Sequence, residues 1–252
     1  MGKFLHRLLY RSLSLEGYLR VVSSLYFIFY RMGWNRHSRA MEYAFHLPRL
    51  VGKGDHAIDI GANLGYYTLP LADLVGDEGK VYAVEPVPVI FGVLKRNVGS
   101  RSNVTLLNYA LGAENKSIEM ANDSVAEAGY FGTGRNFVSG GSLSNEAVRF
   151  EAKMVEAYGL FKDLERVDFI KCDIEGYEGV VMPLLKPLLA QHHPTVLIET
   201  DGDTRQEMIS LFSELGYSAY MLQDGKEVEL NPKSDKDIIF RYQQDKWGRK
   251  ML

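Results

Sequence analysis

Three carboxylates in the second half of the chain are placed to do chemistry: Asp173, Glu175 and Glu199. Asp173 follows the run Val167-Asp-Phe-Ile-Lys-Cys172, Glu175 comes two residues later ahead of Gly176, and Glu199 follows Thr195-Val-Leu-Ile198. Short apolar runs of this kind form buried strands, so the acids fall at or just past strand carboxyl ends. An acid there can take the proton of a hydroxyl as a new bond forms at its oxygen. Three neighbouring acids repel one another unless a cation or a proton compensates them. Asp173 is therefore the leading base or ligand-orienting acid, with Glu175 and Glu199 secondary, and Lys171 a neutralising partner. A hard divalent ion would also compensate the cluster, but the spacing fixes no geometry for one and no metal site is assigned.

A second constellation lies upstream, in Asp59-Ile-Gly61-Ala-Asn63-Leu-Gly65 after the apolar start of a strand. Gly61 and Gly65 let the backbone approach a ligand, because no Cβ intervenes. A dinucleotide fingerprint would read G-x-G-x-x-G and hold pyrophosphate at a helix N-terminus. Here Asn63 replaces the second glycine, and Asp59 repels phosphate while suiting an ammonium or an ordered water. Glu85 ends the next strand, twenty residues beyond Gly65, where a carboxylate accepts from both ribose hydroxyls. An adenosine ligand without phosphates fits this pair of features. Tyr66 and Tyr67 open the following helix, where one of them borders the ligand or both pack in the core.

Stepwise alternation of strands and helices must position these groups. Strands are expected at 56–60, 81–84, 104–107, 167–171, 195–198, 217–222 and 237–241, the last two as an antiparallel hairpin. Helices are expected at 65–75, 87–98, 179–190 and 204–215. This pattern predicts an α/β fold: a doubly wound, mainly parallel seven-stranded sheet covered on both faces. The interval 121–149, punctuated by Gly129, Gly132, Gly134, Gly140 and Gly141, reads as a long functional loop. Its Ser139-Gly-Gly-Ser142 stretch is a candidate cover for an acceptor. His192-His193 reads as a solvated helix end, not as a zinc fragment, because the chain has only one Cys.

Three segments carry a resemblance to a known family: Ile58-Asp-Ile-Gly-Ala-Asn-Leu-Gly-Tyr-Tyr-Thr68, Val81-Tyr-Ala-Val-Glu-Pro-Val-Pro88, and Val167-Asp-Phe-Ile-Lys-Cys-Asp-Ile-Glu-Gly-Tyr-Glu178. With these, residues 52–242 resemble the FkbM family of Rossmann-like, class I S-adenosylmethionine-dependent methyltransferases. The third segment, K-x-D-x-E-G-x-E, is the most specific to that family. The resemblance implies S-adenosylmethionine as cofactor, held by Asp59, Gly61, Asn63, Gly65, Tyr67, Glu85, Pro86, Ala110, Leu111 and Asp173. It also implies methylation of a hydroxyl on a carbohydrate, glycolipid or related natural product. The family's usual Leu-Asp-Asp ahead of the third segment is Val155-Glu156-Ala157 here. A nucleic-acid methyltransferase and a non-catalytic membrane-docked module are the alternatives. The chain has no Asn-Pro-Pro-Tyr type pocket and no interleaved aromatic and basic patch, so no nucleic acid is expected.

The 252 residues carry a net charge of −3 and a near-average globular composition, which excludes disorder and a disulfide scaffold. The charge is divided unevenly. Eight Lys and Arg in residues 1–50 against Glu16 and Glu42 leave +6 there and −9 in the remainder. The chain is accordingly divided into a basic helical extension, 1–50, and a methyltransferase domain, 51–252. The apolar run Val21–Tyr30 is too short to span a bilayer, and Leu15, Leu19, Val22, Tyr26 and Phe29 line one helical face. That face packs on its own domain, on a second subunit as a homodimer, or, through residues 4–31, on a membrane surface. A single Cys172 favours a reducing compartment. The expected location is the cytoplasm, peripheral at the inner membrane face where the leader docks.

Overall fold

The computed structural model describes residues 2–34, 36–39, 41–139 and 147–243. The leader forms helices α1 (Lys3–Ser12), α2 (Leu15–Arg31) and α3 (Glu42–His46). Strand β1 (His56–Ile60) runs through a glycine turn into α4 (Thr68–Val75), then β2 (Lys80–Val84), α5 (Pro88–Val98) and β3 (Val104–Leu107). Next come β4 (Ala110–Gly112), β5 (Lys116–Asn122), α6 (Ser124–Ala128), β6 (Asn136–Val138), β7 (Val148–Glu156) and α7 (Ala157–Phe161). The chain returns through β8 (Phe169–Cys172), α8 (Glu178–Leu184), α9 (Lys186–His192), β9 (Thr195–Ile198) and α10 (Gly202–Glu214). It ends in β10 (Tyr217–Gln223), β11 (Lys226–Glu229) and β12 (Ile238–Tyr242).

The main sheet has eight strands among the described residues, in the order β11-β10-β12-β9-β8-β1-β2-β3. Strands β3, β2, β1, β8 and β9 are mutually parallel, and β12 joins β9 antiparallel. The seven expected strands are present, and β10 and β12 pair antiparallel as expected, while the tight hairpin after β10 is made with an additional strand, β11. The Asp224-Gly225 turn, with positive φ at both residues, folds Lys226–Glu229 back onto β10 as an extra edge strand. Strand β12 then inserts between β10 and β9.

Strand alternation sends Ile58, Ile60, Ile170, Cys172, Val196 and Ile198 to a core under α8, α9 and α10. Ala57, Phe169, Leu197 and Ile239 face the other core, with α4 and the buried Tyr43 and Leu47 of the leader. The single expected helix over 179–190 is two helices meeting at Leu185. Pro187 has no amide hydrogen to continue the first helix and is at home in the first turn of the second.

Among its described residues, the interval read as one long loop contains α6, β6 and the ends of β5 and β7, joined by turns. Strands β4, β7, β5 and β6 form a second, four-stranded sheet, and Asn122 ties its turn by donating to the Gly132 carbonyl at 2.8 Å. Residues 140–142 of the expected acceptor cover lie outside the described residues. The leader packs on the body: Tyr18 and Leu19 are buried with Leu64, Val87, Ile90 and Val93, with Met120 and Ala152 of the second sheet, and with Phe131 between α6 and β6. The ring of Tyr26 contacts that of Tyr66, with centroids 4.2 Å apart. His193 caps α9 in a left-handed conformation and stacks on Tyr242, which corrects the expectation of a solvated pair.

Candidate active site

Parallel pairing of β2, β1 and β8 brings Val84, Ile60 and Cys172 into register, so the turns that follow open on one edge. A cavity forms there between the main sheet and the second sheet. Its main-sheet wall includes Gly61, Asn63, Glu85, Pro86, Asp173 and Glu175, and Ala110 and Leu111 of β4 line it from the second sheet. Its other wall is Met120, Thr133, Gly134, Asn136, Phe137 and Val138. Five of these six residues fall in the interval read as a functional loop; what the sequence reading missed is that Asn136–Val138 is a strand of a second sheet.

Gly61 occupies a tight crossing. It has φ +78°, and a Cβ on it would sit 1.8 Å from the Asp173 carbonyl oxygen. Only glycine lets β1 and the turn after β8 approach this closely. Asn63 also has positive φ, at 51°, a conformation that Asn tolerates better than most residues. Its amide donates to Glu85 Oε2 at 2.9 Å, and the Val87 amide donates to Glu85 Oε1 at 2.9 Å. Glu85 is thus fixed at the end of β2 with lone pairs remaining for a ligand. Burial pushes its carboxyl up to about 7, against the opposing pull of those two amides.

Asp59 does not reach the cavity. Its side chain is fully buried, accepts from Thr68 Oγ1 at 2.6 Å, and stands 3.9 Å from Lys171 Nζ. The reason is register: Asp59 pairs directly with Lys171 across β1 and β8, so both side chains leave the sheet on the same face. Gly65 and Tyr67 also stay outside the cavity. Gly65 sits against Leu94, and the Tyr67 ring lies 5.1 Å from Lys171 Nζ. Lys171 is buried and donates to Asp173 Oδ2 at 3.0 Å and to the Gly61 carbonyl at 3.1 Å. Burial alone would lower its pKa, but the charges of Asp173 and Asp59 hold it above the ordinary lysine range.

The turn after β8 presents Asp173 and Glu175. Glu178, itself buried, accepts from the Ile174 amide at 2.8 Å and braces that turn. Glu175 takes φ +56°, a strained position for a non-glycine residue. Its carboxylate reaches across to the second sheet, where a Cβ on Gly134 would meet Oε1 at 2.8 Å. Partial burial and then the charge of Asp173 push Glu175 up to about 7. Glu199 stands outside the cavity, beyond β9; burial and the charges of Asp173 and Asp237 raise it to about 8. Asp237, just before β12, is raised to about 6 by burial and by Asp173. It joins the acidic edge although no local signal in the sequence marks it. Among the described residues no three acidic, His or Cys side chains are placed to hold a metal ion.

This arrangement, an acid at the second strand end, a glycine crossing at the first and a further acid at the neighbouring strand, is that of a Rossmann-like methyltransferase. The model of the methyltransferase FkbM domain matches residues 59–219, and the chain belongs to that family. Its fold is similar to the FkbM methyltransferase of Methylobacillus flagellatus KT, with 14% identity, a TM-score of 0.50 and coverage of 77% of this chain. The chain spans 45% of that structure's length. Aeropyrum pernix fibrillarin, solved with natively bound S-adenosyl-L-methionine, is 14% identical over 76% of this chain and 68% of its own, with a TM-score of 0.45. A Thermotoga maritima S-adenosylmethionine-dependent O-methyltransferase is 14% identical, covering 79% of this chain and 63% of its own, with a TM-score of 0.43. No curated protein is significantly similar in sequence to this chain.

Proposed function

We propose that the chain transfers a methyl group from S-adenosylmethionine to a hydroxyl of a carbohydrate or glycolipid. The observation that carries this reading is that Glu85 and Asp173 line one cavity with Gly61 between them. The residues present fit the cofactor: Glu85 keeps acceptor capacity for ribose hydroxyls, and the acidic edge suits a cationic ligand. Bound there, S-adenosylmethionine supplies an electrophilic methyl on a sulfonium that leaves as a neutral thioether. What remains for the protein is alignment and removal of one proton.

Asp173 takes the proton of the acceptor hydroxyl as its oxygen accepts the methyl. Lys171 holds one Asp173 oxygen, Oδ2, and leaves the other for that proton. Glu199 and Asp237 extend the acidic edge beyond the cavity. Asp173 and the partly protonated Glu175, Glu199 and Asp237 offer a phosphate chain no cation, and they can donate to and accept from neutral sugar hydroxyls. This favours a glycan over a nucleic acid, and the buried single Cys172 supports a reducing compartment such as the cytoplasm. The experiment is calorimetry of the purified protein with S-adenosylmethionine, followed by mass spectrometry of envelope glycans and lipids with and without the protein. Gain of one methylene in a defined species is expected. Absence of binding at millimolar ligand removes the reading, and a salt-dependent affinity for RNA replaces it with the nucleic-acid alternative.

A further inference from the structure

Seven of the eight large apolar side chains that stand exposed among the described residues lie in the leader: Phe4, Leu5, Leu8, Leu13, Ile28, Met32 and Trp34. Helix α1 buries none of its residues completely. Its inner side is held by contacts of His6, which bonds Tyr18 Oη at 2.7 Å and stacks on Tyr130, and by Arg7, which donates to the Ala128 carbonyl at 2.7 Å. Its outer side carries Phe4 and Leu8, one turn apart, beside Lys3 and Arg11. At the far end of α2, Ile28, Met32 and Trp34 stand out beside Arg31. A ten-residue helix is marginal in water by itself, and exposing large apolar groups between arginines costs solubility unless something covers them.

We infer that this outer face of the leader docks on an anionic lipid surface. Charge complementarity selects that occupant. Residues 3–36 hold six Lys and Arg against Glu16 alone, and the rest of the chain beyond residue 50 is at −9. A second copy of the chain would set two basic faces against each other. An anionic bilayer attracts the leader and repels the body, which fixes the orientation as well as the affinity. Phe, Leu and Trp beside basic residues match the headgroup boundary, and no described helix is long and apolar enough to cross the membrane. Docking does not depend on the identity of the acceptor.

The test is flotation of the full chain with vesicles of phosphatidylcholine, alone or with about one third phosphatidylglycerol. The wild-type chain is expected to float with the anionic vesicles only, and less so as salt rises from about 0.1 to 0.5 M. The double variant Phe4→Ser, Leu8→Ser removes exposed groups, so its melting temperature should be unchanged while vesicle partition drops about tenfold or more. Three results overturn the inference: a wild-type chain that stays at the bottom, a variant that floats equally, or a dimer in sedimentation that the same variant dissociates.

Discussion

The buried Lys171 Nζ and the cavity-lining Asp173 Oδ2 are 3.0 Å apart, and Asp59 stands 3.9 Å from the same ammonium. One lysine therefore faces two acids, the buried Asp59 and the cavity-lining Asp173. Replacing Lys171 with Met leaves two acids without their cation. Breaking a buried pair in this way costs about 3–5 kcal/mol, read as a lower urea midpoint. Adding Asp59→Asn to that variant should restore part of the loss, because one of the two stranded charges is gone.

Glu85 and Asp173 should separate in kinetics. Glu85→Ala weakens S-adenosylmethionine binding by about tenfold to a hundredfold, the worth of one charge-assisted hydrogen bond of about 1.5–3 kcal/mol. Asp173→Asn should leave calorimetric affinity within a few fold and reduce kcat instead. Equal losses of affinity in both variants would contradict the assigned roles.

The raised acids predict a pH dependence of stability. Glu85 is raised to about 7 and Asp237 to about 6, both chiefly by burial. Between roughly pH 4.5 and 7 the folded chain keeps protons that the unfolded chain has released, so their contribution to stability falls as pH rises through that window. Asp237→Asn should flatten this slope by about 1–2 kcal/mol, after allowance for partial exposure to solvent. Glu227 acts in the opposite sense. Burial would raise it, but Arg241 and His46 hold it down to about 2. Its contribution is present above the ordinary glutamate value and is lost as pH falls toward 2. Melting temperatures measured from pH 2 to 9 check both limbs.

A cationic ligand entering beside Glu85 and Glu175 should displace protons. Near pH 7 both carboxyls are partly protonated, and a nearby positive charge favours their ionised forms. Binding of S-adenosylmethionine should therefore release protons, and the uncharged thioether product should release fewer. Calorimetry in buffers of different ionisation enthalpy measures the difference directly.

Two glycines should fail differently. Gly61→Ala drives a Cβ into the Asp173 carbonyl at positive φ, so it should unfold the chain or lower its melting temperature sharply. Gly134→Ala meets only the far end of the Glu175 side chain. It should change melting temperature little and alter KM or kcat by displacing that carboxylate.

The parallel part of the main sheet was legible because its strands are short apolar runs: Thr195–Ile198 and Val104–Leu107 fall where the pattern puts them. That Glu85 and Asp173 would meet at one sheet edge was legible because they follow such runs. The second sheet was not, since Lys116–Asn122 and Val148–Glu156 pair across a long interval with mixed polarity, and no local signal joins them. Asp59, Gly65 and Tyr67 fall in the recognisable glycine turn yet miss the cavity. Spacing alone does not say that Asp59 shares a face with Lys171, which only the β1–β8 register decides. Asp237 was invisible for the same reason: its neighbours in space are sixty-four and thirty-eight residues away in sequence, at Asp173 and Glu199.

Strand β12 lies between β9 and β10 although it follows both in sequence. During synthesis, β9 and β10 emerge before the segment that must separate them. A nascent chain ending before residue 238 therefore has a gap in its sheet beside Glu199, and Asp237 has no strand to hold it. The acidic edge is completed only when β12 slots in beside β9, so the order of synthesis makes Asp237 the acid that joins it after the others.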